Sequence, residues 1–438
     1  MSLTEIRNNV TQLCISGILR CIRSSVTTGS NVTNTFNPMT MNLEMLRYYW
    51  ALSSGIEEIA NIVVHNSRRL TTDIAYEEVE RIGEITGSIN ASATLLAQSR
   101  TLNPAVYIVS EPSMTVHSQP NHLVAWTLSE AFQILSSARR SYKRLDTFEW
   151  FNKKITLLEQ ALRNEMLHDI VITPSGRRRP NGSTIRAASK ARIPVYQKAI
   201  EVYDLLEGIE RGAEEDIRMC LSQTLIANLE YWQRLELATA LEAANSLSAS
   251  TGSAVHLSFP FTSDRPIASV GPFQVYWQYT IPQRSRDQLD LNELWSRQVA
   301  QGIGVKSGDS RTDVAICINN HVISLFECKY FESKSSLSQA VLDASSQIVR
   351  YCRDLHPESV PDAGLLLSRS CIVVADRDSY NETLDRFDPA LSTFDRRFIY
   401  FTDINGISKS KLRYWSDQLC TDSSTRTDSS ADSDILEV

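Results

Sequence analysis

Three residues in one part of the sequence have the types and spacing for phosphodiester chemistry. Asp313 opens the apolar run TDVAICI, and Glu327 and Lys329 sit two apart near the end of the run HVISLFECKY. Hydrolysing a phosphodiester needs an activated water, an in-line geometry and a sink for negative charge at the leaving oxygen. Magnesium held by one or two carboxylates supplies most of this while keeping several waters. A lysine beside the metal orients the water and stabilises charge in the transition state. Both carboxylates must then share a face with the lysine, and a separation of two places Glu327 and Lys329 on one side of a strand. Asp313 and Glu327 are the candidate metal ligands, for Mg2+ with Mn2+ as a substitute, and Lys329 is the candidate catalytic cation.

The element that would position them is a β-hairpin, with Asn319-Asn320 as its turn signal. On the returning strand Ile323, Leu325, Glu327 and Lys329 share a face. A strict two-residue turn pairs Asp313 with Phe326 and sends the carboxylates to opposite faces. Asp313 meets Glu327 only if the loop counts three residues, Asn319 to His321, or if the hairpin contains a bulge. A second acid–lysine pair, Glu332 and Lys334, falls in FESKSS, which reads as a solvated loop before the next helix. In that helix DASSQIVRY places Asp343, Gln347 and Tyr351 at i, i+4 and i+8, one polar stripe. Either the stripe is an exposed face, or it meets the sheet edge and brings Gln347 and Tyr351 to the carboxylates or to a nucleic-acid backbone.

The chain around this hairpin has 438 residues, 42% hydrophobic and 22% charged, the composition of a globular protein with several domains. No run suits a membrane span and no secretory signal is evident. Eight scattered cysteines without CxxC pairs fit reduced thiols in a cytoplasmic protein. A net charge of −7 argues against coating nucleic acid unaided, though not against a local basic groove.

The fold class expected is multi-domain α/β. Residues 1–120 read as a mixed, mainly helical domain, with AYEEVERIGEITGSI as a helix after a TTD cap and PAVYIVSEP as a strand. Residues 121–215 read as two long helices around a basic loop, 172–192, a projecting helical hairpin. Its Arg177, Arg178, Arg179, Lys190 and Arg192 are candidate phosphate contacts, or simply a solvated tip. Residues 216–420 read as helix, three strands, helix and two strands, an α/β domain. The Ser/Asp-rich tail 421–438 has almost nothing to bury and reads as disordered.

Asp313, Glu327-Cys328-Lys329 and Gln347-x-x-x-Tyr351 resemble the active site of the PD-(D/E)xK nuclease superfamily, in its branch with a Gln-x-x-x-Tyr helix. Within it the chain is most similar to McrC-type subunits of modification-dependent restriction systems. GSINASATLLAQSR with PAVYIVSEP, QPNHLVAWTLSEAF and LEYWQRLEL carry the resemblance across residues 80 to 355. It implies a restriction-endonuclease-like αβββαβ core and a DNA endonuclease, with Asp313 and Glu327 on magnesium and Lys329 positioning water. It also implies a helix-borne acid, Glu230 in LEYW, with Glu236 and Glu242 as alternatives on the same helix. Tyr330 matches a Tyr that often follows the lysine. Thr312 stands where a Pro is usual, Cys328 where Ala is usual, and Asp343 precedes Gln347 by four positions rather than three. The family works with a AAA+ NTPase, and because no GxxxxGK[ST] occurs here, that motor would be a separate chain. A homo-oligomer is compatible with this reading. The alternatives are a non-catalytic scaffold of the same fold that recognises nucleic acid, or a nuclease acting on RNA or structured DNA.

Overall fold

The computed structural model describes residues 3–27, 38–281, 298, 311–330, 337–356, 358–375, 400–403, 412–413 and 415–421. Glu332, Lys334 and the tail beyond Thr421 lie outside the described residues. The protein is multi-domain α/β, with two sheets and more helix than strand among the described residues. It forms two compact units, residues 46–224, and residues 1–45 together with 225–438.

The chain begins with α1 (Leu3–Thr27), followed by α2 (Pro38–Ala51) and α3 (Ser54–Asn66). β1 (Asp73–Ile82), β2 (Ser88–Ile89), α4 (Ala91–Thr101) and β3 (Val106–Thr115) then make a small antiparallel sheet in the order β1-β3-β2. The expected strand PAVYIVSEP is β3. The expected helix AYEEVERIGEITGSI is not a helix: β1 pairs with β3 over ten consecutive positions, from Asp73 opposite Thr115 to Ile82 opposite Val106. Glu-rich residues favour helix locally, and a full-length pairing partner overrides that preference.

Residues 119–223 fold as α5 (Gln119–Ser141), α6 (Glu149–Leu162), α7 (Glu165–Ile172), α8 (Gly182–Ala191), α9 (Pro194–Glu210) and α10 (Glu214–Gln223). The expected hairpin of two long helices is replaced by a bundle of shorter ones around α5, which packs on α3, α6, α7, α8 and α9. The breaks have local causes. Tyr142 leaves the helical region, and the Asn164 side chain caps α7 by accepting from Met166 N–H at 3.0 Å. Asn181 caps α8 inside the stretch read as a loop, accepting from Ser183 and Thr184 N–H, each at 3.0 Å.

In the other unit α11 (Tyr231–Thr251) is sandwiched, which is why Leu235 to Ala244 are all buried. One side faces a seven-stranded sheet and the other faces α1, which sequence reading had assigned to an N-terminal domain. α1 lies close to α11 at Gly17, where a Cβ would meet Leu241 Cβ at 3.1 Å. Two polar ties reinforce the contact, an Arg20–Glu242 ion pair and Arg234 donating to Thr11 Oγ1 at 2.9 Å.

The sheet comprises β4 (Val255–Leu257), β5 (Ala268–Val270), β6 (Phe273–Thr280), β7 (Arg311–Ile318), β8 (His321–Tyr330), β9 (Cys371–Ala375) and β10 (Tyr400–Asp403). Strands β4 to β8 are antiparallel neighbours, and β9 and β10 continue the sheet in parallel. Between β8 and β9 run α12 (Leu337–Leu355) and α13 (Val360–Ser368). Ala344, Ile348, Tyr351 and Cys352 of α12 pack with Ala315, Leu325, Ile372 and Val374 of the sheet in one buried cluster. All eight cysteines are free thiols, and only Cys420 is partly exposed. Among the described residues no helix is long and apolar enough to cross a membrane.

Candidate active site

The β7–β8 hairpin decides whether the carboxylates meet. Its turn is the two-residue Asn319-Asn320, both left-handed at φ 50° and 65°, the type that matches strand twist. That turn alone would separate Asp313 from Glu327. A bulge intervenes: Cys317 pairs with Val322 but Ile316 pairs with Ser324, so Ile323 is the extra residue. Beyond it Val314 stands opposite Phe326, and the same register brings Asp313 opposite Glu327. Of the two expected solutions, the bulge is the one adopted.

The site grows from that register. Asp313 Oδ2 accepts from the Cys328 backbone N–H at 2.6 Å. Lys329 Nζ donates to Glu327 Oε1 at 2.7 Å and also to Gln347 Oε1 from α12. Glu327 is 2% exposed, and its second oxygen, Oε2, has no hydrogen-bond partner among the described residues. Among the described residues Tyr351 makes no hydrogen bond to a carboxylate. Its hydroxyl donates to the Arg311 carbonyl at 2.9 Å, tying α12 to the start of β7, and the Arg350 guanidinium lies 5.1 Å over its ring. Asp343, the first residue of the stripe, is exposed and accepts from Gln339 at 2.7 Å.

Of the three acids on α11, Glu236 and not Glu230 lies beside Asp313. Glu230 is the exposed N-cap of α11, where its backbone N–H donates to Gln233 Oε1 at 2.9 Å to close a capping box. Glu236, nearly two turns further on, is buried beside Asp313 and held by two donors. Trp277 Nε1 and Gln278 Nε2 each reach its Oε2 at 2.9 Å. Glu242 faces away and pairs with Arg20. Tyr330 stacks on Tyr231, the first residue of α11, with ring centroids 6.2 Å apart.

The basic residues of 172–192 divide. Arg179 is committed to the helical bundle, donating to Glu210 at 2.6 Å with its guanidinium 5.7 Å from the Trp126 ring. Arg177, Arg178, Lys190 and Arg192 are exposed. Arg192 closes α8 in the left-handed region at φ 53°.

Burial sets the electrostatics of the acids. Glu236 and Glu327 are each pushed up to about 8, first by loss of water and then by the negative charge of Asp313. Lys329 offsets part of this at Glu327. Burial also raises Asp313, against the Cys328 N–H that favours its charged form. Among the described residues no three His, Cys, Asp or Glu side chains form a ready-made ligand cage. Magnesium does not require one, because it binds through one or two carboxylates and keeps its waters. Crowded, partly unsatisfied carboxylate oxygens fit such an ion.

The raised values have a consequence for stability. Between the ordinary carboxyl value of 4.5 and about 8 the folded chain holds more protons than the unfolded one. The stabilisation is therefore complete at low pH and is lost as pH rises through about 8. Melting the metal-free protein across that window checks this: the midpoint should fall with rising pH, and Glu236→Gln should flatten the fall.

No protein-family model matches the sequence, and no curated protein matches it. One similar solved structure is a chain from Thermococcus gammatolerans, in an assembly described as a refined half-complex from a tetradecameric assembly of McrB AAA+ hexamers with bound McrC. The similarity covers 92% of this chain and 76% of that one, at 10% identity and a TM-score of 0.22. At those values the likeness bears on neither fold nor function.

Proposed function

We propose that this chain is a divalent-metal-dependent DNA endonuclease, the nuclease subunit of a cytoplasmic restriction or anti-phage system. The observation that carries the reading is the bulged hairpin, which sets Asp313, Glu327 and Lys329 on one face with a buried Glu327 oxygen that has no partner among the described residues. A structural strand end has no use for that arrangement, since burying repelling carboxylates is costly unless a cation or a reaction requires it.

Asp313 and Glu327 would hold magnesium, with Glu236 beside them. When bound, the ion would polarise the phosphate and acidify a water. Lys329, kept in place by Glu327 and Gln347, would donate to the attacking water or a phosphate oxygen as charge develops. Tyr351 would keep α12 docked so that Gln347 stays in reach. Exposed Arg177, Arg178, Lys190 and Arg192 remain candidate phosphate contacts. Arg179 is withdrawn from that set because its partners lie within the bundle. A separate AAA+ motor would gather substrate for an acidic chain that grips DNA weakly alone.

Supercoiled DNA, linear DNA and RNA, each incubated with micromolar protein in Mg2+, Mn2+ or chelator, test the reading. Metal-dependent DNA cleavage that disappears in Glu327→Gln supports it. Cleavage that survives that substitution, or no cleavage of any substrate, contradicts it.

The two helix acids should separate in the same assay. Glu236→Gln should slow cleavage by about tenfold or more. Glu230→Ala should cost about 1 kcal/mol of stability through the lost cap and leave the rate near wild type. Rates and melting curves of both variants check this.

A further inference from the structure

Gln278 is a non-glycine residue in the left-handed region, at φ 58°, inside strand β6. Such a conformation is strained for a side chain with a Cβ, and it persists only where surrounding contacts hold it. It sits at one particular place. Trp277 pairs with Val314 and Tyr279 with Thr312, so Gln278 lies across from Asp313.

The local consequence is a broken alternation. In a regular strand Trp277 and Tyr279 would share a face, opposite to Tyr276. Here Tyr276 and Tyr279 both pack on the cluster beneath α12, their rings 5.2 Å apart, while Trp277 points the other way to Glu236. The phase shift lets two successive residues, Trp277 and Gln278, deliver donors to the same Glu236 oxygen, each at 2.9 Å. A regular strand would offer only one of them.

We propose that Gln278 is a positioning residue: its left-handed backbone aims the carboxamide at Glu236 and fixes that carboxylate beside Asp313, ready for a divalent cation. The inference rests on reading Asp313 and Glu327, with Glu236 beside them, as a metal centre. Trp277 supplies the second anchor. Both donors contact the same oxygen, and the carboxyl group also hydrogen-bonds Asp313.

The substitution Gln278→Gly separates strain from positioning, because glycine adopts positive φ without penalty but lacks the carboxamide. The metal-free variant should melt at least about 2 °C higher than wild type. The Mn2+ affinity measured by calorimetry should fall by about tenfold, as outer-shell partners of metal ligands typically contribute. Gln278→Ala, which keeps the strain, should lose affinity equally without the gain in melting temperature. A merely structural Gln278 would lower the melting temperature and leave Mn2+ affinity unchanged, and either result overturns the proposal. Trp277→Phe gives a second check: it removes the other anchor, and with Gln278→Gly it should weaken Mn2+ binding beyond either substitution alone. Wild-type protein that binds no Mn2+ would instead overturn the metal-centre reading itself, so the two failures are distinguishable.

Discussion

Lys329→Ala should reduce metal-dependent cleavage by about a thousandfold or more while the protein remains folded. The ammonium is the only cation hydrogen-bonded to the site carboxylates among the described residues, and it is held from two sides, by Glu327 and by Gln347. Its removal leaves no donor for a charged phosphate oxygen or the attacking water. Folding should survive for a specific reason. Glu327 loses its partner, but burial has already pushed its carboxyl up to about 8, so near neutral pH it can take a proton rather than remain as an unpaired buried charge. Lys329→Arg should not rescue, because the longer planar guanidinium cannot replace a compact donor wedged between two oxygens. Single-turnover cleavage rates alongside thermal melts check all three statements. A folded Lys329→Ala protein that cuts at wild-type rate would remove the lysine from the chemistry.

Asp313→Asn should give the second large effect, with opposite signs for function and stability. After burial, the negative charge of Asp313 is the next largest reason that Glu236 and Glu327 resist ionisation. An amide in its place can still accept from the Cys328 N–H through its oxygen, yet carries no charge. The metal-free variant should therefore melt about 3 °C or more above wild type once the pH exceeds about 8, where both glutamates ionise and the repulsion is greatest. Cleavage should fall below detection, and added Mg2+ should no longer raise the melting point. Such a gain in stability on loss of activity is the signature of a site held in readiness for a charged ligand.

The candidate site residues were legible because charge in a buried strand is conspicuous. Asp313, Glu327 and Lys329 stood out within apolar runs, and Gln347 followed from helical spacing. What the runs did not reveal was how the hairpin reconciles a two-residue turn with carboxylates on one face. The extra residue, Ile323, looks like any other apolar strand residue, and only the chemical requirement pointed to a bulge. Glu236 was one of three candidates, and the choice depends on where α11 starts. The capping box at Glu230 and Gln233 sets that start, and with it the face on which each acid falls. Gln278 gave no signal, because a left-handed residue in a strand leaves no mark when it is not glycine or asparagine.

Tertiary context defeated local propensity elsewhere. Glu77, Glu78 and Glu80 favour a helix, yet β3 offers a pairing partner along the whole of β1. The long helical pattern after Asn121 was interrupted at Tyr142 and Asn164 by capping geometry that the apolar period does not encode. The packing of α1 on α11 joins segments more than two hundred residues apart in sequence. That contact depends on a close approach at Gly17 and a distant acid, Glu242, neither of which carries a local signal.

On the proposed function, the bulged hairpin would build a cation site from Asp313 and Glu327. Calorimetric titration of the purified protein with Mn2+, beside Asp313→Asn and Glu327→Gln, tests it most directly. Saturable binding by the wild-type chain that vanishes in both variants, with protons released as the raised carboxyls ionise, is the expected result. Binding that is absent in the wild type, or unchanged in the variants, would contradict it.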